Sequence, residues 1–193
     1  MSSSAWMFPV THTIAPYGCV SGVFTPEQCA EIIRIGTNSQ LGQATVGADC
    51  RGDDIRKCRS SNLEIKGNEW IFKDLSDAAI LVNSNYFNFD LAGFAEGIVF
   101  LEYTAPDGKY TQHVDCQYSS PVRKLSISVQ LSDETAYVGG DVALTYASTE
   151  QLYAPRTQGS LVAFPSYALH EVKPITEGTR YSLVGWITGP QFK

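Results

Sequence analysis

The pattern of apolar positions divides the chain into a helical first part and a β-rich second part. Ala30, Ile32, Ile33 and Ile35 crowd together after a well-marked helix start. Thr25 is placed to cap, Pro26 suits the first helical position because its missing N–H is not needed there, and Gln28 completes a capping box. Gly36 and Asn38 are expected to stop this helix, whose apolar face should pack on the outside of a sheet. A second helix is predicted from about Asn68 to Asn83, where Trp70, Ile71, Leu75, Ala78, Ala79 and Val82 return with helical period. Residues up to about Gly22 read as an extended lead-in, 42–54 as a Gly-rich polar loop, and Arg56 to Ile65 as a weakly alternating strand.

Beyond Asn85 the character changes. Short runs rich in Val, Ile, Leu, Phe and Tyr are separated by turn signals at Pro106 to Gly108, Ser119 to Pro121, Gly139-Gly140 and Gly159-Ser160. Helices first and many short strands afterwards predict a mainly β fold with supporting α: a double-stranded β-helix (jelly roll, cupin-like) core with N-terminal helices. At 193 residues, 44% of them hydrophobic, the chain fits one domain spanning 1–193, with helical and strand support over about 1–95 and the core over about 96–190.

Charge and cysteine usage narrow the function classes. A net charge of -6 argues against a broad nucleic-acid surface, which normally leaves a basic footprint. No apolar run reaches membrane-spanning length, and the first residues lack a basic segment followed by an apolar core. Five cysteines (Cys19, Cys29, Cys50, Cys58, Cys116) show no framework spacing and read as reduced thiols of a cytoplasmic protein. The acidic group Asp49, Asp53 and Asp54 reads as a solvated loop, and His12 as a surface or packing residue.

The candidate chemistry lies in Gln112-His113-Val114-Asp115. In an extended strand, positions i and i+2 share a face, so His113 and Asp115 aim a nitrogen and a carboxylate oxygen at one point. His170 is a third donor, and two His with one carboxylate and open positions form the facial triad that suits non-haem Fe(II). Arg180 follows ten residues later, a permanently charged fork able to hold a carboxylate bidentately.

These residues resemble a known family. Leu101-Glu102-Tyr103, Tyr110 to Asp115, Gly139-Gly140-Asp141, Gly159 to Pro165, His170 to Pro174 and Gly178 to Leu183 occur in the order and spacing of the Fe(II)/2-oxoglutarate-dependent oxygenases, prolyl 4-hydroxylase-like branch. The resemblance covers about half the chain, from Gly97 to Pro190. It implies Fe(II) on His113, Asp115 and His170, and 2-oxoglutarate and O2 as co-substrates, with ascorbate as a reductant. Arg180 would pair with the distal carboxylate, with Tyr103, Ser182, Gln130 or Ser128 as neutral donors, and Tyr110 and Trp186 would lie near the substrate.

The implied activity is hydroxylation of a proline in a peptide or protein, with release of succinate and CO2. The stretch 42–54 is a candidate for the segment that closes over the peptide in such enzymes. Nucleic-acid dealkylases of the superfamily usually carry a second Arg where this chain has Trp186, and halogenases lack the carboxylate that Asp115 supplies. Oxidation of a small molecule or of another protein residue is an alternative, and a non-catalytic jelly-roll binding module a more remote one.

Overall fold

A computed structural model describes residues 15–44, 54–116, 122–146 and 150–191. In chain order their elements are β1 (Gly18–Val20), α1 (Pro26–Asn38), β2 (Gly42–Gln43), β3 (Arg56–Lys57), β4 (Arg59–Asn62), α2 (Glu69–Tyr86), β5 (Gly93–Phe94), β6 (Val99–Thr104), β7 (Gly108–His113), β8 (Arg123–Gln130), β9 (Tyr137–Gly139), β10 (Val142–Thr145), β11 (Gln151–Tyr153), β12 (Leu161–Pro165) and β13 (Leu169–Thr188). The N-terminal residues with His12, the loop residues 45–53 with Cys50, and the turn Ser119 to Pro121 lie outside the described residues. No helix among the described residues is long and apolar enough to cross a membrane.

The expected jelly roll is present, and β13 is its spine. Its second half pairs with β6 on one side and β8 on the other in the larger sheet, ordered β1-β12-β8-β13-β6-β4-β2. Its first half pairs with β7, β9 and β10 in the smaller sheet. The strand passes between sheets near Gly178, whose φ of +72° is a left-handed conformation and whose absent Cβ would overlap the Ala136 carbonyl oxygen.

The helices pack on the outer face of the larger sheet, as their apolar faces predict. Cys29 and Ile32 of α1 and Ile71, Leu75 and Val82 of α2 join Phe100, Leu125, Ile127, Val129, Leu161 and Leu183 in one core. Each such side chain, fully buried, contributes roughly 1.5–3 kcal/mol. The Thr25 capping box forms in both directions, Thr25 N–H donating to Gln28 Oε1 at 2.8 Å and Gln28 N–H to Thr25 Oγ1 at 3.3 Å.

Three local expectations need correction. Gly36 does not stop α1 but lies within it, because an added Cβ there would overlap the Phe100 ring and the bare backbone lets the helix approach the sheet. The end falls at Asn38, where the Ser39 N–H bonds Ile35 O at 3.1 Å. Helix α2 continues past Asn83 to Tyr86, since Asn83 turns its amide onto the backbone N–H and C=O of Phe89 beyond the helix end. The stretch from Arg56 to Ile65 is two short strands rather than one, β3 pairing with β7 and β4 with β6.

Strand alternation creates the interior. Along β8, Leu125, Ile127 and Val129 face the helices while Ser126, Ser128 and Gln130 are also buried and take the other face. Along β13, Leu183 and Ile187 take the helical side and Arg180, Ser182, Val184 and Trp186 alternate with them. Polar groups buried this way are tolerated only when hydrogen-bonded, and a polar inner face is what a water-soluble co-substrate requires.

Candidate metal centre

His113 closes β7 and His170 is the second residue of β13, and the pairing of these strands sets the two residues directly opposite each other. Their rings lie 4.1 Å apart between centroids. Asp115, two residues beyond His113, is held by its own N–H on Ser166 O at 2.9 Å. His113 Nε2 is 3.8 Å from Asp115 Oδ1, and His170 Nε2 is 3.4 Å from Asp115 Oδ2. One ligand atom from each residue lies within 4.8 Å of the other two, the only such group among the described residues.

The tautomers suit a metal. His113 Nδ1 is 2.7 Å from Thr111 O and His170 Nδ1 is 3.0 Å from Ala168 O. A carbonyl oxygen only accepts, so each Nδ1 carries the proton and each Nε2 presents a lone pair toward Asp115. Burial, then the neighbouring His170, pushes the His113 pKa down to about 4, keeping the imidazole neutral at ordinary pH. Asp115 Oδ2 accepts from Ser126 Oγ at 2.8 Å, and Ser126 Oγ in turn lies 3.0 Å from Ser166 Oγ. Two neutral imidazoles and a carboxylate with oriented lone pairs fit a divalent first-row ion such as Fe(II).

A cavity of about 480 Å³ opens over these three residues, lined also by Arg56, Tyr103, Tyr110, Arg123, Phe164 and Trp186. Tyr110 stacks on His113 with centroids 3.5 Å apart, and the Arg123 guanidinium lies 3.9 Å over the Trp186 ring. Glu96 accepts two N–H bonds from Arg123, from Nε at 2.6 Å and from the second terminal nitrogen. Tyr103 is fully buried, and burial raises its hydroxyl pKa strongly. It is therefore a neutral donor.

Arg180 is 3% exposed, with Nε on Gln130 Oε1 at 3.0 Å and a terminal nitrogen 3.4 Å from Ser182 Oγ. Its guanidinium lies 5.7 Å from the Tyr103 ring centroid. Arg180 and Ser182 do not line the larger cavity; Arg180 borders a void of about 10 Å³ that shares the walls Ser128 and Val142 with it. The expected anchor thus lies off the cavity that holds the triad, beside the walls Ser128 and Val142.

Of the residues named from the sequence, the structure brings the triad, Tyr103, Tyr110 and Trp186 to one cavity and leaves Arg180 and Ser182 off it, while Arg56, Arg123 and Ser126 had not been named. The alternation in β8 was the available signal for Ser126, since a serine among inward positions needs a polar partner. Nothing local marks Arg56, which reaches the site only through the β3–β7 pairing.

Residues 98–188 match the family model of the 2OG-Fe(II) oxygenase superfamily. A PKHD-type hydroxylase of Prochlorococcus marinus is 31% identical over 150 residues, 76% of this chain and 64% of that protein. A PKHD-type hydroxylase of Picosynechococcus is 27% identical over 179 residues, 92% of this chain and 70% of that protein. The chain thus spans a little under two thirds of the first relative's length. A Pseudomonas putida prolyl-4-hydroxylase superposes with a TM-score of 0.71 at 20% identity, covering 91% of this chain and 93% of the other. A Trichoplax adhaerens prolyl hydroxylase in complex with a hypoxia inducible factor peptide fragment gives 0.69 at 18% identity, covering 90% and 83%.

Proposed function

We propose that this chain, whose residues 98–188 match the 2OG-Fe(II) oxygenase superfamily model and whose fold is prolyl 4-hydroxylase-like, is a dioxygenase of that superfamily that hydroxylates a prolyl residue in a peptide or protein. The observation that carries this reading is the triad: two histidines opposed across a strand pair, both Nδ1 protons tied to carbonyls, both Nε2 atoms turned toward one carboxylate. PKHD-type hydroxylases among the relatives and a peptide-bound prolyl hydroxylase among the fold neighbours support the substrate class.

His113, Asp115 and His170 would hold Fe(II), which with 2-oxoglutarate and O2 would supply oxidative decarboxylation to succinate and CO2 coupled to hydroxylation of a C–H bond. The chain's own part is placement. Thr111, Ala168 and Ser126 orient the three ligands. Arg180, with two of its N–H groups on Gln130 and Ser182, would offer the rest of its fork to the distal carboxylate of the co-substrate, with the neutral Tyr103 hydroxyl as a further donor. Trp186 under Arg123 and Tyr110 against His113 form the aromatic walls that seat a proline ring and exclude water. The four described cysteines are free thiols, which supports the cytoplasm as the compartment.

Ligand linkage tests the reading. Under anaerobic conditions Fe(II) with 2-oxoglutarate should raise the melting temperature by several degrees, as mass action requires, and His170→Ala should abolish the rise. A melting curve indifferent to both ligands would overturn it.

A further inference from the structure

We propose that Arg56 reads a carboxylate on the substrate, so that the molecule oxidised in this cavity is anionic close to the reacting carbon. The inference rests on the oxygenase reading above and deepens it. Arg56 opens β3 opposite Tyr110 of β7, and its guanidinium lies 4.7 Å from the Tyr110 ring centroid. That same ring stacks on His113. Arg56 therefore stands one aromatic ring away from a metal ligand, on the wall of the 480 Å³ cavity.

Among the described residues nothing answers its charge. Arg56 Nε donates to Cys58 Sγ at 3.2 Å, and burial raises the Cys58 pKa, so that partner is a neutral thiol. Among the described residues no carboxylate lies within ion-pair distance of Arg56. Of the other described guanidiniums, Arg123 is closed by Glu96, Arg156 meets Asp141, Arg59 meets Glu102, and Arg34 meets Glu31. Arg180 sits off this cavity on Gln130 and Ser182, where the distal carboxylate of the co-substrate is expected. Arg56 is thus surplus to the co-substrate.

A partly buried guanidinium without a counter-charge is unfavourable unless an anion meets it. With Nε on Cys58, the two terminal nitrogens meet no acceptor among the described residues and can grip a carboxylate bidentately. Although the whole chain is acidic, with net charge -6, Arg56 places a cation on the cavity wall. The carboxylate has two possible sources: an acidic residue beside the target proline, or the α-carboxylate of a small substrate or C-terminal residue.

The experiment measures binding without turnover. The 193-residue chain loaded with Mn(II) and 2-oxoglutarate is titrated with peptides in which one glutamate is scanned through the positions around a central proline. Each peptide has a glutamine counterpart, and free L-proline and proline-terminated peptides accompany them. Wild type should bind at least one glutamate peptide, or the free-carboxylate ligands, roughly tenfold or more tightly than the neutral partner. Arg56→Gln should erase that preference without weakening 2-oxoglutarate binding. Arg56→Lys should keep part of it, since the charge survives and the fork does not, and it serves as the second variant if the glutamine form does not fold. Absence of any acid preference in wild type overturns the inference, as does an Arg56→Gln variant that loses 2-oxoglutarate affinity and keeps the preference. A separate succinate assay distinguishes failure of the oxygenase reading, which leaves these binding results standing.

Discussion

His113 and His170 form a directly opposed cross-strand pair between β7 and β13, and each fixes its Nδ1 proton on a main-chain carbonyl two residues before itself. The site is therefore built into the sheet ladder rather than onto a loop. Backbone pairing sets the separation of the two rings, and the carbonyl contacts set which nitrogen is bare. Such a constellation is preorganised for a metal.

The pair makes the metal-free protein pH-sensitive. His113 has its pKa pushed from the ordinary 6.5 to about 4, by burial first and by His170 second. The unfolded chain then takes up a proton that the folded chain resists between these values, so this contribution is complete above about pH 6.5 and is lost as pH falls toward 4. Chelated wild type should lose up to about 3 kcal/mol across that window relative to His113→Asn. Parallel urea melts at several pH values check this, and identical pH profiles for the two proteins would refute the burial argument.

Ser126 holds the Asp115 carboxylate through a 2.8 Å hydrogen bond. Ser126→Ala should weaken metal binding by about tenfold without removing it, because an orienting partner is lost while all three ligands remain. Titration with Mn(II) reads this directly. An unchanged affinity would mean that the Asp115 backbone contact to Ser166 is sufficient on its own.

Arg180→Gln should raise the KM for 2-oxoglutarate by roughly ten- to a hundredfold, the loss expected for a charged hydrogen-bonding partner in a buried site. Steady-state succinate kinetics test it. A normal KM would place the distal carboxylate elsewhere in the cavity.

Gly36→Ala should destabilise the fold by about 1–3 kcal/mol, because the new methyl group meets the Phe100 ring where α1 packs on the sheet. Gly42→Ala, with nothing within 4 Å of the added atom, serves as the control. Urea denaturation of both variants decides whether the helix–sheet distance is as tight as it looks.

Much of this site was legible in the sequence because its signals are local or strongly ordered. His113 and Asp115 share a strand face by spacing alone, the Thr25 capping box needs four residues, and the alternating apolar runs after Asn85 announce strands. What stayed hidden depends on long-range pairing. Arg56 is distant in sequence from Tyr110 and meets it only because β3 joins β7, and Arg123 finds Trp186 only through the β8–β13 register. Gly36 reads as a helix stop until the sheet that presses on it is known. Periodicity cannot carry such information.

The central claim is tested most directly by incubating the purified protein with Fe(II), ascorbate, 2-oxoglutarate and proline-containing peptides, while following succinate and peptide mass together. The account predicts succinate release that rises with peptide, a mass gain of one oxygen atom located on proline, and loss of both in Asp115→Ala. Succinate with no modified peptide would contradict the prolyl substrate, and no succinate from folded, iron-loaded protein would contradict the oxygenase itself.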